Sequence, residues 1–499
     1  MTAATVPPTV LLDLRVPLGP ATMELAADVV DVELDHGTRE RVAECHAFAL
    51  RRIDDGRPVY GATTGFGPLV VFPGRDQCAT ALAHLTAGQG PDLEPATVRA
   101  AMLVRLRSLC QGRSGVSPAV VDALAAALRT GFAPAVPRLG SLGASGDLVP
   151  LAYVAGALCG DGAAYLDGRR TTAAEALALA GLTPVELGGR DALALVNGTS
   201  LTAAAAGLAV ASIARSRTAA IWLSAALTDL LGAEPAFLVP ELLEAFGHPD
   251  TVRVGAEMRT RLDGTVPSGQ RPLQEPYSVR CTPQLIGAAS CAIGQAEDVV
   301  RRDLNSVSDN PLFFAERDLV AHGGNFFGQP AAFAGDLLTL AATQLGNLAE
   351  RQLDLLVDPH RNSGLPPMLS PDPGRQHGVQ GVQLAATAII ATMRRAAHPA
   401  SVQSLPTNLH NQDVIPFGTQ AALNALDTAR LLRLLHGSLA VALRQAAHLT
   451  ARPLAPATTH LVERIAAVCA PVERDRPLDA EVREAADVLD RLTSTASSR

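Results

Sequence analysis

Three residues in this sequence could take part directly in chemistry, and each lies in a short motif. They are Tyr60 at the start of YGATTGFG, Ser145 within GASGDL and Arg280 at the end of QEPYSVR. A phenolate is a strong base once its pKa, normally about 10, is lowered. A guanidinium has the planar fork that binds a carboxylate through two hydrogen bonds. Taken one at a time, these residues are also typical of a loop tip, a glycine-rich turn and a surface ion pair.

The segment 143–148, GASGDL, does not fit two common roles of a serine among glycines. It is not a phosphate-binding loop, because no lysine follows at the spacing that GxxxxGK[ST] requires. It is not a nucleophile elbow, because the pattern G-x-S-x-G is not met around Ser145. On physical grounds alone it predicts a glycine-rich turn in which Asp147 is the N-cap of a helix.

The same segment resembles the signature of the aromatic amino acid ammonia-lyase and histidine ammonia-lyase family, whose other motifs match most of the chain in order. The resemblance implies that Ala144, Ser145 and Gly146 cyclise on their own and lose water. The product would be a 4-methylidene-imidazole-5-one, an electrophilic prosthetic group, with no external cofactor and no metal. Such a group is useful because protein side chains include no strong electrophile. Gly146 would supply an unhindered nitrogen, and Ser145 the hydroxyl that is lost.

The motif that begins at Tyr60 resembles the family's tyrosine loop, which usually reads YGxNTGFG. The resemblance implies that Tyr60 is the catalytic base that removes a β-proton. A phenolate suits this role if a positive neighbourhood lowers its pKa, which is the expectation for Tyr60. The glycines of the motif suit a mobile lid over the substrate. Thr63 stands where asparagine is usual, which puts the role of that side chain in question but not the role of Tyr60.

Two further motifs resemble those that hold the substrate in the family. Asn197 in LVNGT is expected near the substrate amine and the prosthetic group, although an asparagine there also suits a helix cap. Arg280 is expected to bind the substrate carboxylate, and Gln274 and Tyr277 to add hydrogen bonds. Glu275 stands where aspartate is usual.

The segment GGNF, which ends at Phe326, matches the family as well. Asn325 is expected to hydrogen-bond near the substrate carboxylate, and Phe326 to border the prosthetic group. Phe327 and Tyr153 each stand where the family usually has histidine. These two changes are expected to affect the pocket or its support.

Two positions bear on the identity of the substrate. The pair His84-Leu85 matches a position that is His-Leu in tyrosine-selective members, Phe-Leu in phenylalanine-selective members and Ser-His in histidine-selective members. An imidazole can hydrogen-bond a phenol while Leu85 packs against the ring, although His84 could also be a core histidine. Histidine-selective members carry glutamate at the position of Gln412, so the neutral Gln412 disfavours histidine.

These resemblances predict non-oxidative elimination of ammonia from L-tyrosine to give trans-4-coumarate. The nearest alternative is a tyrosine 2,3-aminomutase, whose loop usually has glutamate after GFG, where this chain has Pro68. Phenylalanine or histidine ammonia-lyase activity is a further alternative. A non-catalytic helical paralogue belongs to a different class, and it would be expected to have lost part of the motif set, which is complete here.

Long stretches without proline predict the elements that carry these motifs, because proline breaks helix interiors. They cover residues 185–234, 284–310, 331–358, 374–398 and 417–452. The regions 56–74 and 131–150 are rich in glycine and proline and therefore predict loops between shorter helices. An apolar stripe at helical spacing over 478–492 predicts a helix near the end of the chain.

The predicted fold class is mostly α, with a loop-rich N-terminal part and a central bundle of long helices. The resemblance implies the fumarase/aspartase-like superfamily architecture of the ammonia-lyases. Three domains are expected: an N-terminal domain with the prosthetic-group and base loops over 1–200, the long-helix bundle over 201–455, and a helical tail over 456–499.

The composition limits the class of protein and its partners. The chain has 499 residues, 48% of them hydrophobic and 18% charged, which excludes bulk disorder, and its net charge of -8 argues against nucleic-acid binding. The most apolar stretch, 201–214, is too short to span a membrane, and the N-terminal segment lacks a signal-peptide pattern. The seven cysteines are widely spaced, as in a reducing compartment.

We therefore expect a cytoplasmic enzyme that acts on a small aromatic amino acid, with no nucleic-acid or membrane partner. The family resemblance implies a homotetramer whose active sites combine residues from more than one subunit.

Overall fold

The structure is a computed structural model that describes residues 7–74 and 78–494. The first residues of the N-terminal segment (1–6) and the last residues of the predicted tail domain (495–499) lie outside the described residues.

The described residues form eighteen α-helices. The first eight are α1 (Pro20–Ala26), α2 (Thr38–Asp54), α3 (Cys78–Ala83), α4 (Pro95–Leu109), α5 (Pro118–Leu128), α6 (Leu148–Leu158), α7 (Ala173–Leu179) and α8 (Asp191–Val196). The other ten are α9 (Ser200–Leu231), α10 (Pro240–Phe246), α11 (Pro249–Arg261), α12 (Tyr277–Arg280), α13 (Thr282–Leu304), α14 (Gln329–Val357), α15 (Gln380–Ala396), α16 (Gly418–Leu449), α17 (Pro456–Ala466) and α18 (Asp479–Ser494).

Each proline-free run contains a long helix, so the mostly α prediction is confirmed. Helices α13, α14, α15 and α16 lie close to the bounds predicted for them, and α18 confirms the helix predicted near the end of the chain. The run 185–234 differs, because it is divided between α8 and α9. Asn197 has an extended backbone (φ -90°, ψ 100°) and ends α8, which leaves the NGT motif in a short non-helical segment.

The strands are few and short, as expected, and they form small separate sheets. They are β1 (Thr9–Leu12), β2 (Asp31–Leu34), β3 (Gln89–Asp92), β4 (Phe132–Pro134), β5 (Pro137–Leu139), β6 (Ala163–Leu166), β7 (Arg169–Thr172), β8 (Leu312–Phe314) and β9 (Leu319–Ala321). The pair β1–β2 is parallel, with Thr9 opposite Asp31. The pairs β3–β5, β4–β6, β6–β7 and β8–β9 are antiparallel. In the β8–β9 hairpin Phe313 lies opposite Val320. Strand β9 ends at Ala321, two residues before the GGNF motif begins.

The chain forms two compact units, each assembled from separated stretches. The first unit comprises Met1–Ala211, Ala296–Asp336 and Pro399–Asn424, and the second comprises Ser212–Gln295, Leu337–His398 and Ala425–Arg499. The three consecutive domains proposed from the sequence remain a prediction. Among the described residues, no helix is both long enough and apolar enough to cross a membrane.

The core of the first unit is built around α4, which is buried from Thr97 to Leu109. Three arginines on this helix are buried too, and their guanidinium groups donate to backbone carbonyls. The donors are Arg99, Arg105 and Arg107.

In the second unit, side-chain hydrogen bonds connect the long helices. Gln352 of α14 donates to Ser224 of α9 at 2.9 Å. Arg217 of α9 donates to Ser290 of α13, also at 2.9 Å. Many of the other buried side chains in this core are alanine and leucine, which pack closely without aromatic rings.

Candidate active site

The GASGDL motif forms a tight turn between β5 and α6, and glycine is required there. Gly143 and Gly146 have φ of +63° and +69°, a region that favours glycine. A Cβ atom on Gly146 would lie 2.4 Å from the carbonyl oxygen of Gly198, so no other residue fits. The nitrogen that the expected cyclisation would need is therefore carried by glycine, the one residue type that this position accepts.

Asp147 lies at the N-cap position of α6, as predicted, but its side chain does not cap the helix. The buried carboxylate instead accepts hydrogen bonds from the hydroxyls of Ser141, Thr202 and Thr419 at 2.7–2.9 Å, and from the backbone N–H of Thr202 at 2.9 Å. Burial raises the pKa of Asp147 even though these donors favour the charged form. Its role is to connect the turn to the first residues of α9 and α16.

Two other motifs hold the turn from outside. The NGT segment pairs with it, because the backbone N–H of Asp147 donates to the Gly198 carbonyl at 2.7 Å. The GGNF segment accepts a hydrogen bond from the turn, because the Gly146 N–H donates to the Phe326 carbonyl at 2.9 Å. Within the turn, Ala144 is buried and Ser145 lines a cavity. The residues present thus fit a prosthetic group made from Ala144, Ser145 and Gly146.

A cavity of about 930 Å³ opens beside Ser145, and its walls come from the first unit. Predicted site residues on its walls are Tyr60, His84, Leu85, Ser145, Asn197, Phe326 and Gln412. The volume is in the range of small-molecule sites. The structure therefore brings together the proposed base, the proposed electrophile and both positions expected to select the substrate.

Tyr60 faces this cavity, and its hydroxyl oxygen accepts a hydrogen bond from the Gly67 N–H at 2.7 Å. The ring meets Phe66 edge to face, with 6.2 Å between centroids. Burial raises the pKa of Tyr60, and the Gly67 hydrogen bond opposes that rise. The expectation that a positive neighbourhood lowers this pKa is thus wrong for the described part of a single chain.

Thr63, which replaces the usual asparagine, has a structural contact in the same loop. Its hydroxyl oxygen accepts a hydrogen bond from the Val59 N–H at 2.8 Å and donates to the Arg57 carbonyl at 3.1 Å. The threonine therefore closes the turn 59–63, which contains Tyr60.

His84 stacks on Phe66, with 6.1 Å between centroids and 27° between planes. Its Nδ1 lies 2.9 Å from the Thr80 carbonyl oxygen, which can only accept. In the neutral ring Nδ1 must then carry the proton, so Nε2 is an acceptor. His84 is exposed in the single chain and is therefore not a core histidine.

Gln412 lies on another wall, where its Nε2 donates to Ser145 Oγ. This contact holds a neutral amide against the serine of the proposed prosthetic group.

Asn197 is buried, and it caps the end of α8 rather than the start of the long helix, which begins at Ser200. Its Nδ2 donates to the Asn310 carbonyl at 3.0 Å. Its Oδ1 has no hydrogen-bond partner among the described residues. Asn197 therefore lines the cavity and has one buried acceptor without a partner among the described residues.

The QEPYSVR segment lies in the second unit, and its residues are not on the walls of this cavity in the described structure. Tyr277 is 71% exposed, and Gln274 is exposed as well. The Arg280 guanidinium stacks over the Tyr277 ring at 4.8 Å and donates to the Glu275 carbonyl at 2.9 Å. The Glu275 carboxylate forms an ion pair with Arg271. Glutamate in place of aspartate therefore has an ionic partner four residues earlier in the chain.

Asn325 is exposed and is not among the residues on the cavity wall, although Phe326 beside it is. Its expected hydrogen bond near the substrate carboxylate remains a prediction.

A profile described as aromatic amino acid lyase matches residues 20–467. The chain belongs to the aromatic amino acid lyase family.

Relatives within this family carry different names. A histidine ammonia-lyase of Geobacillus kaustophilus is 41% identical over 383 residues, which cover 75% of each chain. A tyrosine ammonia-lyase of Cupriavidus metallidurans is 41% identical over 397 residues, covering 74% of each chain. The crystal structure of a tyrosine aminomutase from Streptomyces globisporus has a TM-score of 0.91, with 32% identity and 99% of each chain covered.

Membership of the aromatic amino acid lyase family makes this chain a relative of carbon–nitrogen lyases that act on small aromatic amino acids. The family generally depends on a methylidene-imidazolone group, and the fit of the GASGDL turn is consistent with that. The TM-score confirms the predicted superfamily architecture.

Some residues on the wall of this cavity were given no role from the sequence. Asn310 and Asn408 line the cavity, and Leu193 and Val196 form part of its apolar wall. Asn310 lies in the segment 305–311, NSVSDNP, which also resembles a family motif, and Leu193 and Val196 lie four residues and one residue before Asn197. Proximity to recognised motifs was therefore an available signal.

Proposed function

We propose that this chain eliminates ammonia from L-tyrosine, without oxidation, to give trans-4-coumarate. The observation that carries the proposal is the cavity in which Tyr60, Ser145 and His84 share one lining. These residues supply a base, the origin of an electrophile and an acceptor for a phenol. The three functions are the ones that this elimination needs from a tyrosine substrate.

Tyr60 removes the β-proton of the substrate. Its hydroxyl oxygen already accepts the Gly67 N–H, and that donor stabilises the phenolate more than the phenol. Since burial raises the pKa of this phenol in the single chain, only a small fraction is ionised at neutral pH. The rate of proton removal is therefore expected to increase with pH.

Asn197 receives the substrate amine. Its Nδ2 is occupied by the Asn310 carbonyl, so its free Oδ1 accepts hydrogen bonds from an N–H donor. Ala144, Ser145 and Gly146 hold the prosthetic group, with Gln412 as a hydrogen-bond donor at the serine and Phe326 at its border. When formed, the group supplies the electrophile that turns the amine into a leaving group.

The substrate carboxylate is proposed to bind Arg280, with hydrogen bonds from Gln274, Tyr277 and Asn325. The guanidinium fork suits a carboxylate geometrically. Because none of these four residues lines the cavity of its own chain, we propose that they act in a homotetramer with shared active sites. Leu273, immediately before the QEPYSVR motif, is 99% exposed, which is consistent with a segment that a second chain covers.

The preference for tyrosine rests on His84 and Gln412. With its Nδ1 proton donated to Thr80, His84 presents Nε2 as an acceptor, which matches the hydroxyl of a phenol. Phenylalanine offers no donor at that point. Gln412 carries no charge, so it gives no ion pair to a protonated imidazole substrate. The last two points argue against phenylalanine and histidine as the best substrates.

A second candidate is tyrosine 2,3-aminomutase activity, in which ammonia returns at the β-carbon. The structural similarity to the tyrosine aminomutase over 99% of the chain favours it. Pro68, where the aminomutase loop usually has glutamate, favours the lyase. A non-catalytic paralogue is disfavoured because the residues of the proposed site are present. The cytoplasmic location remains a prediction.

The test is to incubate the purified protein with L-Tyr, L-Phe and L-His in separate reactions. The appearance of the conjugated acid is followed by its absorbance, ammonia is measured enzymatically, and β-amino acids are separated by chromatography. The proposal expects the highest kcat/KM with L-Tyr, and ammonia equal to coumarate. A β-tyrosine yield that exceeds ammonia would favour the aminomutase, and a higher kcat/KM with L-His would refute the substrate assignment.

A further inference from the structure

A completely buried ionic cluster lies behind Asn197. It consists of Arg105, Arg190 and Asp309, all in the first unit. Arg190 forms a two-point ion pair with Asp309, at N–O distances of 2.8 and 3.0 Å. Arg105 Nη2 lies 3.8 Å from the same carboxylate. Burying two guanidinium groups around one carboxylate has a large desolvation cost. The other hydrogen bonds of these three side chains therefore indicate what the cluster contributes to the structure.

Arg105 holds the backbone of the NGT segment. Its Nη1 donates to the Asn197 carbonyl at 3.0 Å and to the Ser308 carbonyl at 2.9 Å. A Cβ atom on Gly198 would lie 2.0 Å from this same Nη1, so the guanidinium is packed directly against the chain at the glycine. Gly198 also pairs with Gly146 of the GASGDL turn. The segment is therefore contacted both by Arg105 and by the turn that would carry the proposed prosthetic group.

Asp309 and Arg190 hold the side chain of Asn197 through Asn310. The Asn310 N–H donates to the Asp309 carboxylate at 2.6 Å, and that carboxylate is fixed by the two contacts from Arg190. The Asn310 carbonyl in turn receives Asn197 Nδ2. An amide whose nitrogen is engaged in this way must present its oxygen elsewhere.

We propose that Arg105, together with the Arg190–Asp309 pair, is a positioning residue that fixes the Asn197 amide with its oxygen directed to the substrate amine. The inference rests on the proposed elimination of ammonia, since it assigns a device that serves the amine-binding step. Arg105 itself contacts no substrate. It acts through the carbonyl of Asn197, and the Arg190–Asp309 pair acts through Asn310.

The experiment compares Arg105→Lys with the matched control Arg99→Lys in the full-length protein. Arg99 lies on the same helix, α4, and is also buried, but it donates to the carbonyls of Asp28, Leu128, Thr130 and Phe132, which are not part of the site. Each variant is measured for prosthetic-group content, from the mass of the peptide that contains Ser145, and for kcat and KM with the best aromatic amino acid substrate.

Arg105→Lys is expected to lower kcat per prosthetic group by about 10- to 100-fold, because a small misplacement of a positioned group has an effect of this size. KM is expected to change by less than about threefold, since the rest of the substrate is bound as before. Arg99→Lys is expected to keep the wild-type kcat. Equal kcat per prosthetic group in the two variants would overturn the inference.

A second variant covers the case in which Arg105→Lys does not fold or does not form the prosthetic group. Asp309→Asn keeps the size of the side chain and an acceptor for Asn310, but it removes the charge that orients Arg190. A lowered kcat at normal prosthetic-group content supports the inference, and an unchanged kcat overturns it. A wild-type protein that carries the group but releases no ammonia from any aromatic amino acid would refute the proposed function itself, and the inference with it.

Discussion

Replacing His84 by phenylalanine tests how the cavity selects its substrate. The ring at this position stacks on Phe66, and a phenyl ring can keep that contact. What is lost is Nε2, the acceptor proposed for the phenol of L-tyrosine, together with the contact of Nδ1 with Thr80. His84→Phe should therefore reduce activity on L-tyrosine while it leaves room for L-phenylalanine.

The expected magnitude follows from the loss of one hydrogen bond between neutral groups. Leaving a buried hydroxyl without a partner costs about 1–3 kcal/mol, and about 1.4 kcal/mol corresponds to tenfold in kcat/KM. Because His84 is exposed in the single chain, water can replace part of the contact, which favours the lower half of this range. We expect kcat/KM for L-tyrosine to fall about 10-fold, and the ratio of L-tyrosine to L-phenylalanine to fall at least as much.

The assay is the initial rate of coumarate and cinnamate formation over a range of substrate concentrations. His46→Phe is the matched control, because His46 Nδ1 also contacts a carbonyl, that of Gly115 at 2.9 Å, but His46 does not line the cavity. The control should keep the wild-type preference. An unchanged ratio of the two substrates in His84→Phe would refute the proposed phenol contact.

Three other perturbations have defined outcomes. Because burial raises the pKa of Tyr60 and the phenolate is the active form, kcat/KM for L-tyrosine should rise with pH above neutrality; a pH-independent profile from about pH 7 to 10 would contradict Tyr60 as the base. Gly146→Ala should prevent the loss of water at Ser145, because the new Cβ would clash with Gly198. The control Gly156→Ala in α6 should leave that step unchanged, because its Cβ meets no close neighbour. The mass of the peptide that contains Ser145 shows whether water was lost, and a normal loss in Gly146→Ala would contradict the prediction. Gln412→Glu should lower kcat/KM for L-tyrosine about 10-fold and raise that for L-histidine by adding a charge; loss of activity on both substrates would count against its role in selection.

The helices could be predicted because their signals are local. Proline-free runs rich in alanine and leucine gave α13, α14 and α16 close to their observed bounds. The break at Asn197 was hidden inside such a run. It depends on Gly198, which is confined between the GASGDL turn and a guanidinium contributed by Arg105, 92 residues earlier than Asn197. No short window of sequence contains that information.

Much of the proposed site could be named from its motifs, but not its electrostatics. The position of Asp147 at the start of α6 was predictable from residue type, whereas its partners Thr202 and Thr419 come from distant helices. The pKa of Tyr60 was expected to be lowered, and burial raises it, because a motif does not specify how much solvent its side chains lose. Arg280 could be recognised by its motif, but it does not line the cavity in the described residues of a single chain.

The central claim is that this chain builds an electrophile at Ser145 and uses it to release ammonia from L-tyrosine. The most direct measurement is the joint yield of ammonia and 4-coumarate from L-tyrosine, for the wild type and for Ser145→Ala. The account predicts equal amounts of the two products with the wild type, and a loss of several orders of magnitude in rate with Ser145→Ala. Full activity in Ser145→Ala, or a wild type that forms neither product, would contradict it.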